Sequence, residues 1–286
     1  MEEVANLGVL YLCATPIGNL EDMTYRAVRI LTEADLIAAE DTRNTRKLLA
    51  HFDIHTPLTS YHEHNKFIKG PELIEKLHFG QNIVVVSDAG LPGIADPGSH
   101  LVQLAIEEGI TVTPLPGANA ALSGLICSGL DTTTFTFVGF LPKTGKNRRA
   151  VLEEIMHHRE TLLFYESPHR LKDTLKEMLS VLGNRKAVAA RELTKKFEQF
   201  VRGDLESLQA YFAENQPRGE FCLIVERFSG EFELESEETV DPYEAVQVLV
   251  EQGTDKKFAI KQVAEQLKIA KRTVYQAVLE AEKKVR

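Results

Sequence analysis

Residues 40–47, EDTRNTRK, set two carboxylates and a guanidinium within four positions, directly after a short apolar run. Glu40 or Asp41 could orient a weakly acidic hydroxyl or take its proton. Arg43 could hold a phosphate through two parallel N–H bonds. A structural alternative stands beside this reading, in which Glu40, Asp41 and Arg43 form an ion-pair cluster capping the helical stretch NTRKLLAHF. A second stretch, VVVSDAGLPGIADPG (84–98), ends an apolar run in small residues, two aspartates and two prolines. Gly90, Gly93 and Gly98 allow a backbone to approach a ligand, while Pro92 and Pro97 limit the loop's entropy. Asp88, at the tip of the run, can accept hydrogen bonds from a ligand's hydroxyl or amine groups. Asp96 could do the same, or cap the helix entered at GSHLVQLA.

Other chemistries fail on spacing. No G-x-G-x-x-G follows a strand, which argues against a dinucleotide fingerprint. In GFLPKTGKN five residues separate Gly139 from Gly145, one too many for a phosphate loop, and Asn147 replaces the Ser or Thr that would ligate magnesium. His62 and His64 in SYHEHN lack an accompanying ligand set, so no metal is expected. Cys13, Cys127 and Cys222 are scattered, without a disulfide framework, which suits a reducing cytoplasm.

The elements that must carry these loops alternate. GVLYLCA, DLIAA, NIVVVS and GITVTPL read as strands, with helical stretches such as TYRAVRILTEA and HLVQLAIEEG between them, which predicts a mostly parallel sheet covered by helices. Ligands of such sheets bind beyond the carboxyl ends of the strands. TPIGN, EDTRN, SDAGLPGIADPG and PGANAA are therefore expected to meet. A second, less regular set runs from FTFVGF to GEFCLIVERF. The predicted fold class is α/β, with an N-terminal α/β domain over 1–128 and a second over 129–228. An acidic linker at 229–240, with five glutamates and no base, leads to an all-α tail over 241–286. FAIKQVAEQL, a short turn and RTVYQAVLEAEKK fit a helix-turn-helix with Lys271 and Arg272 opening its second helix.

No apolar stretch is long enough to span a membrane. The net charge of −9 confines any nucleic-acid contact to local basic patches. Lys271 and Arg272 offer one. Lys143, Lys146, Arg148 and Arg149 in PKTGKNRR offer another, and Lys195 and Lys196 a weaker one. A solvated basic loop remains the alternative.

ATPIGNLEDMTYRAVRIL, AEDTRNTRKLL, SDAGLPGIADPG, PLPGANAALS, FVGFLP and FYESPHRL, in this order from about residue 8 to 228, resemble the successive motifs of the tetrapyrrole methylase superfamily. They look most like its branch acting on ribosomal RNA. The resemblance implies two α/β domains with S-adenosylmethionine held between them, and typically a homodimer. It implies methylation of a cytidine ribose 2′-hydroxyl in the decoding region of small-subunit rRNA. Carried onto this sequence, the cofactor residues are Ser87, Asp88, Ala89, Gly90, Ile94, Gly117, Ala118 and Asn119, faced by Tyr165 and Glu166. With that chemistry Asp41 is expected to orient or deprotonate the hydroxyl and Arg43 to hold a flanking phosphate. Two rivals share parts of the pattern: a tetrapyrrole C-methyltransferase, and a DNA-binding regulator with an α/β sensor. The acidic linker, the basic tail and the TPIGN and EDTR loops favour RNA.

Overall fold

A computed structural model of the chain describes residues 7–94, 96, 98–230, 241–267 and 270–284. All but the first two residues of the expected linker lie outside them. The chain divides after Phe228 into two compact units.

The first sheet holds β1 (Val9–Cys13), β2 (Leu36–Ala39), β3 (Leu58–Ser60), β4 (Ile83–Val86) and β5 (Thr111–Leu115), in the order β3-β2-β4-β1-β5. Every pairing is parallel, and β4 is buried along its whole length, as a strand covered on both faces must be. α1 (Tyr25–Glu33) and α2 (Thr42–His51) cover one face, packing Ala27, Ile30, Leu31 and Leu49 on Cys13, Ile37, Ala39 and Val86. α3 (Lys66–His78) and α4 (Ser99–Glu107) cover the other, where Leu73, Leu77 and Leu101 meet Leu10, Ile83 and Val85. Alternate strand residues thus feed two separate cores, each side chain contributing about 1.5–3 kcal/mol when fully buried.

α5 (Ala120–Ile126) precedes the expected domain boundary yet packs Ala121 and Leu125 on the second sheet, against Leu163, Val188, Cys222 and Ile224. That sheet contains β6 (Phe135–Phe140), β7 (Thr161–Glu166), β8 (Lys186–Arg191), β9 (Gln199–Asp204) and β10 (Phe221–Val225), in the order β6-β7-β10-β8-β9. Only β6 and β7 run parallel; β10 pairs antiparallel with β7 and β8, and β8 with β9. α6 (Gly145–Ile155), α7 (Leu171–Leu182) and α8 (Leu205–Glu214) close its other face around Phe164, Leu175 and Phe212. Gly139, in the segment that mimics a phosphate loop, takes φ 72° at a shift of register between β6 and β7, so it serves a β-bulge.

The C-terminal unit is helical, as expected. α9 (Pro242–Glu251), α10 (Lys256–Gln266) and α11 (Lys271–Lys284) enclose Val246, Ile260, Val263, Val274 and Val278. Lys271 and Arg272 are exposed at the start of α11. No helix among the described residues is long and apolar enough to cross a membrane.

Candidate active site

The loops expected to meet do so at the carboxyl edge of the first sheet. Thr15 and Gly90 exchange backbone hydrogen bonds of 2.9 and 3.0 Å, and the Thr15 hydroxyl donates to the Ser87 carbonyl at 3.1 Å. This clamps the loop after β1 to the loop after β4. The Ser87 hydroxyl donates to the Ala89 and Gly90 carbonyls at 3.4 and 3.3 Å, so this buried side chain shapes the loop from behind. Gly90 adopts φ 79°, where an L side chain is strained. A Cβ at Gly117 would lie 2.8 Å from the Cβ of Ala14, so the loop after β5 packs on β1's exit only without a side chain there. The carbonyl of Ala118 lies 3.6 Å from where a Gly90 Cβ would be.

Between these loops and the second sheet lies a cleft of about 490 Å³, of a size suited to a small organic ligand. Glu40, Asp88, Ala89, Gly90, Ile94, Asp96 and Asn119 line one wall. Tyr165, Glu166 and Phe140 line the other. Ser87, Gly117 and Ala118 stand behind the first wall rather than in it. Asn119 also caps α5, its side chain accepting from the Leu122 amide at 2.9 Å. Asn119→Ala should lower the unfolding free energy in urea by about 1 kcal/mol, as loss of a helix cap does.

Tyr165 reaches across: its hydroxyl accepts from the Ala121 amide at 3.2 Å, and its ring meets Phe137 and Phe140 at 5.1 and 5.5 Å. Burial pushes its hydroxyl up to about 12, so it stays neutral. The Glu166 carboxylate turns inward, accepting from the Thr174 hydroxyl at 2.6 Å and the Ser167 amide at 2.7 Å. It braces the exit of β7.

The acidic wall is mutually coupled. Glu40 accepts from the Asp88 amide at 3.3 Å, and Asp88 accepts from the Asn44 side chain at 3.0 Å. Burial, together with the charges of Asp96, Asp88 and Asp41, raises the Glu40 carboxyl above its ordinary range. Asp96 is raised too, by burial and by Asp88. Asp96 does not cap α4, whose N-terminus has no side-chain cap and begins after Gly98. Such a wall favours a cationic ligand and can accept a proton.

Asp41 and Arg43 are placed differently from the expectation. The Asp41 side chain caps α2, accepting from the Arg43 amide at 2.8 Å, and is paired with the Arg43 guanidinium at 2.6 Å. The Arg43 hydrogen bond holds Asp41 down at about 2, too acidic to take a proton from a hydroxyl. The structural alternative therefore describes Asp41, while Glu40 alone of the three lines the cleft.

The basic patch at 143–149 is also divided. Lys143 and Lys146 are exposed, and Arg149, also exposed, pairs with Glu153 at 2.8 Å. Arg148 is 11% exposed in its side chain and tied to Glu177, so it stitches α6 to α7 instead of clamping a phosphate. Lys195 is likewise engaged, with Glu192 at 3.1 Å and Glu220 at 2.9 Å. Burial draws its ammonium down, but these two carboxylates outweigh it and hold it above its ordinary range. The loop 191–196 is a cleft element that the sequence leaves unmarked: Glu192, Leu193 and Lys195 all line the cavity. Glu192 and Thr194 adopt φ 52° and 65°, unusual for residues other than glycine.

Comparison with known proteins follows the same lines. The profile of the family described as tetrapyrrole (corrin/porphyrin) methylases matches residues 9–209. A Halalkalibacterium halodurans protein named ribosomal RNA small subunit methyltransferase I is 56% identical over 270 residues, covering 94% of this chain and 93% of that one. A Bacillus subtilis protein of the same name is 49% identical over 276 residues, covering 96% and 94%. Among solved structures, a uroporphyrin-III C-methyltransferase from Thermus thermophilus, complexed with S-adenosyl homocysteine, aligns with a TM-score of 0.55 at 21% identity. It covers 77% of this chain and 97% of that one, and likeness at this level concerns the fold.

Proposed function

The chain belongs to the tetrapyrrole methylase family, in the group whose members are named ribosomal RNA small subunit methyltransferase I, and on that premise we propose that it methylates small-subunit ribosomal RNA in the cytoplasm. The acceptor is the 2′-hydroxyl of a cytidine ribose in the decoding region, and the donor is S-adenosylmethionine. The observation that carries this reading is the position of Glu40. A half-buried carboxyl with a raised affinity for protons stands in the same wall as the Asp88 loop.

The residues fit the donor. Its sulfonium is cationic and its methionine end carries an ammonium beside a carboxylate, and the wall offers Asp88 and Asp96 to the positive groups. The glycine at 90 lets main chain approach, and Tyr165 with Phe140 supplies an apolar, aromatic side for a flat ring. Bound donor supplies a methyl group on a positively charged sulfur, ready for in-line displacement. With the donor bound, Glu40 would take the proton of the 2′-hydroxyl, and the donor would supply the methyl group to that oxygen. Asp88 fixes the donor through hydrogen bonds, and Tyr165 and Leu193 exclude water from the opposite side. Alignment and desolvation carry much of such a reaction, because the leaving group is already activated.

RNA phosphates are held outside the cleft. Lys143 and Lys146 each hold one phosphate, with Arg149 beside them, and Lys271 and Arg272 in the helical unit add further contacts. Replacing Lys143 and Lys146 together by alanine should reduce the slope of log affinity against log salt by about 1.4 for single-stranded RNA, with donor binding unchanged. A filter-binding series between low and moderate salt reads this, and an unaltered slope removes the two lysines from the interface. We also propose a homodimer, which sedimentation velocity tests directly.

A further inference from the structure

Tyr25 is the most exposed large apolar residue described in the chain, at 98%, although it opens a well-formed helix eight positions after Ile17, which lines the cleft. We propose that Tyr25 is a stacking platform for an unpaired RNA base flanking the methylated nucleotide, bordered by a basic ridge along α1 and α2. The proposal rests on the RNA-methylation reading above and names a recognition surface that reading lacks.

The placement follows from the helices. α1 buries Ala27, Ile30 and Leu31, so Tyr25 falls on the opposite, solvent side of its first turn. α2 buries Thr45 and Leu49, which leaves Arg43 and Lys47, one turn apart, on its outer face with Arg46 beside them. Both helices pack on the same face of the first sheet, after β1 and β2, the two strands that flank β4, and the connection from β1 into α1 lines the cleft at Ile17. The first turn of α2 touches the cleft directly, since Asn44 donates to the Asp88 carboxylate at 3.0 Å.

Charge separates the ridge from the cleft. Arg26, Arg46 and Lys47 are exposed and have no ion-pair partner among the described residues. Arg43 is paired with Asp41 but its side chain is 82% exposed, leaving N–H groups free for a phosphate. Inside the cleft stand Glu40, Asp88 and Asp96, which repel phosphates. A polyanion can therefore present only a sugar edge to the cleft while its phosphates lie on cations outside. A single strand entering this way carries unstacked bases past the rim, and an aromatic ring flanked by arginines is the surface that holds such bases. On a chain of net charge −9, a ridge of Arg26, Arg43, Arg46 and Lys47 is a local potential of the kind that attracts RNA.

The test compares the full chain with its Tyr25→Ala and Tyr25→Phe variants on small ribosomal subunits, with S-adenosylmethionine binding measured calorimetrically. The alanine variant should raise KM for subunits about tenfold, as loss of one base–aromatic stack does. The phenylalanine variant should stay near the unaltered chain, because stacking needs the ring and not the hydroxyl. Donor affinity should hold in both. An unchanged KM in the alanine variant overturns the proposal, as does an alanine variant that sediments at half the mass, which would make Tyr25 a contact between two copies. Failure of the unaltered chain to methylate any RNA is a separate result, seen before any variant is made, and would sink the functional reading itself.

Discussion

Replacing Glu40 by glutamine should slow methyl transfer about 10²–10⁴-fold, the range expected for loss of a positioned general base. Binding of S-adenosylmethionine should change little, because the amide keeps the shape of the wall. The pH dependence gives the sharper signature. A base must be deprotonated to work, and burial, reinforced by the charges of Asp96 and Asp88, raises the Glu40 pKa. Activity is therefore full above that raised value and lost as pH falls through it, at a higher pH than an ordinary glutamate near 4.3 would give. The acid limb of kcat/KM should vanish in the glutamine variant. Asp41→Asn is the control. Asparagine caps a helix as well as aspartate, and Asp41 already lies near 2 through its hydrogen bond with Arg43. That variant should fold normally and keep most activity. Loss in the Asp41 variant with retention in the Glu40 variant would exchange the two roles.

Asp88→Ala should weaken S-adenosylmethionine binding about thirtyfold, since a hydrogen bond to a charged group contributes about 2 kcal/mol. Calorimetric titration measures it. The same change removes a charge that pushes Glu40 upward, so the Glu40 pKa falls and the acid limb should move to lower pH. A variant that binds the donor less well and also works at lower pH joins the two residues in one wall. An acid limb that stays in place would separate them.

How much of this was legible follows physical lines. β1, β2 and β4 are continuous apolar runs inside the sheet, readable without context, while β5, at the sheet's edge, is the more exposed TVTPL and shows through its Val and Leu and the turn residues after it. β3 is only three residues long, and no periodicity shows in so few. The first sheet is parallel as the strand–helix alternation predicts. The second is mixed: β9 follows β8 and pairs with it across the loop 192–198 without an intervening helix, and β10 runs antiparallel to β7 and β8. The meeting of the SDAGLPG and TPIGN loops was inferable from the rule that ligand loops gather at strand ends, yet the Thr15–Gly90 bridge that locks them is a backbone contact no residue type announces. EDTR showed its chemistry but not its orientation: one residue decides whether a carboxylate enters the cleft or caps a helix. Arg148 looked like part of a phosphate clamp because Glu177, its partner, lies 29 positions away. The loop at 191–196 stayed hidden for a similar reason, since left-handed Glu192 and Thr194 leave no mark where glycine would.

The most direct test is transfer of a labelled methyl group from S-adenosylmethionine to small ribosomal subunits, naked rRNA and a tetrapyrrole precursor side by side, followed by digestion to locate the label. The account predicts label on a ribose 2′-oxygen of a cytidine in small-subunit rRNA. Label on a base, or only on tetrapyrrole carbon, would contradict it.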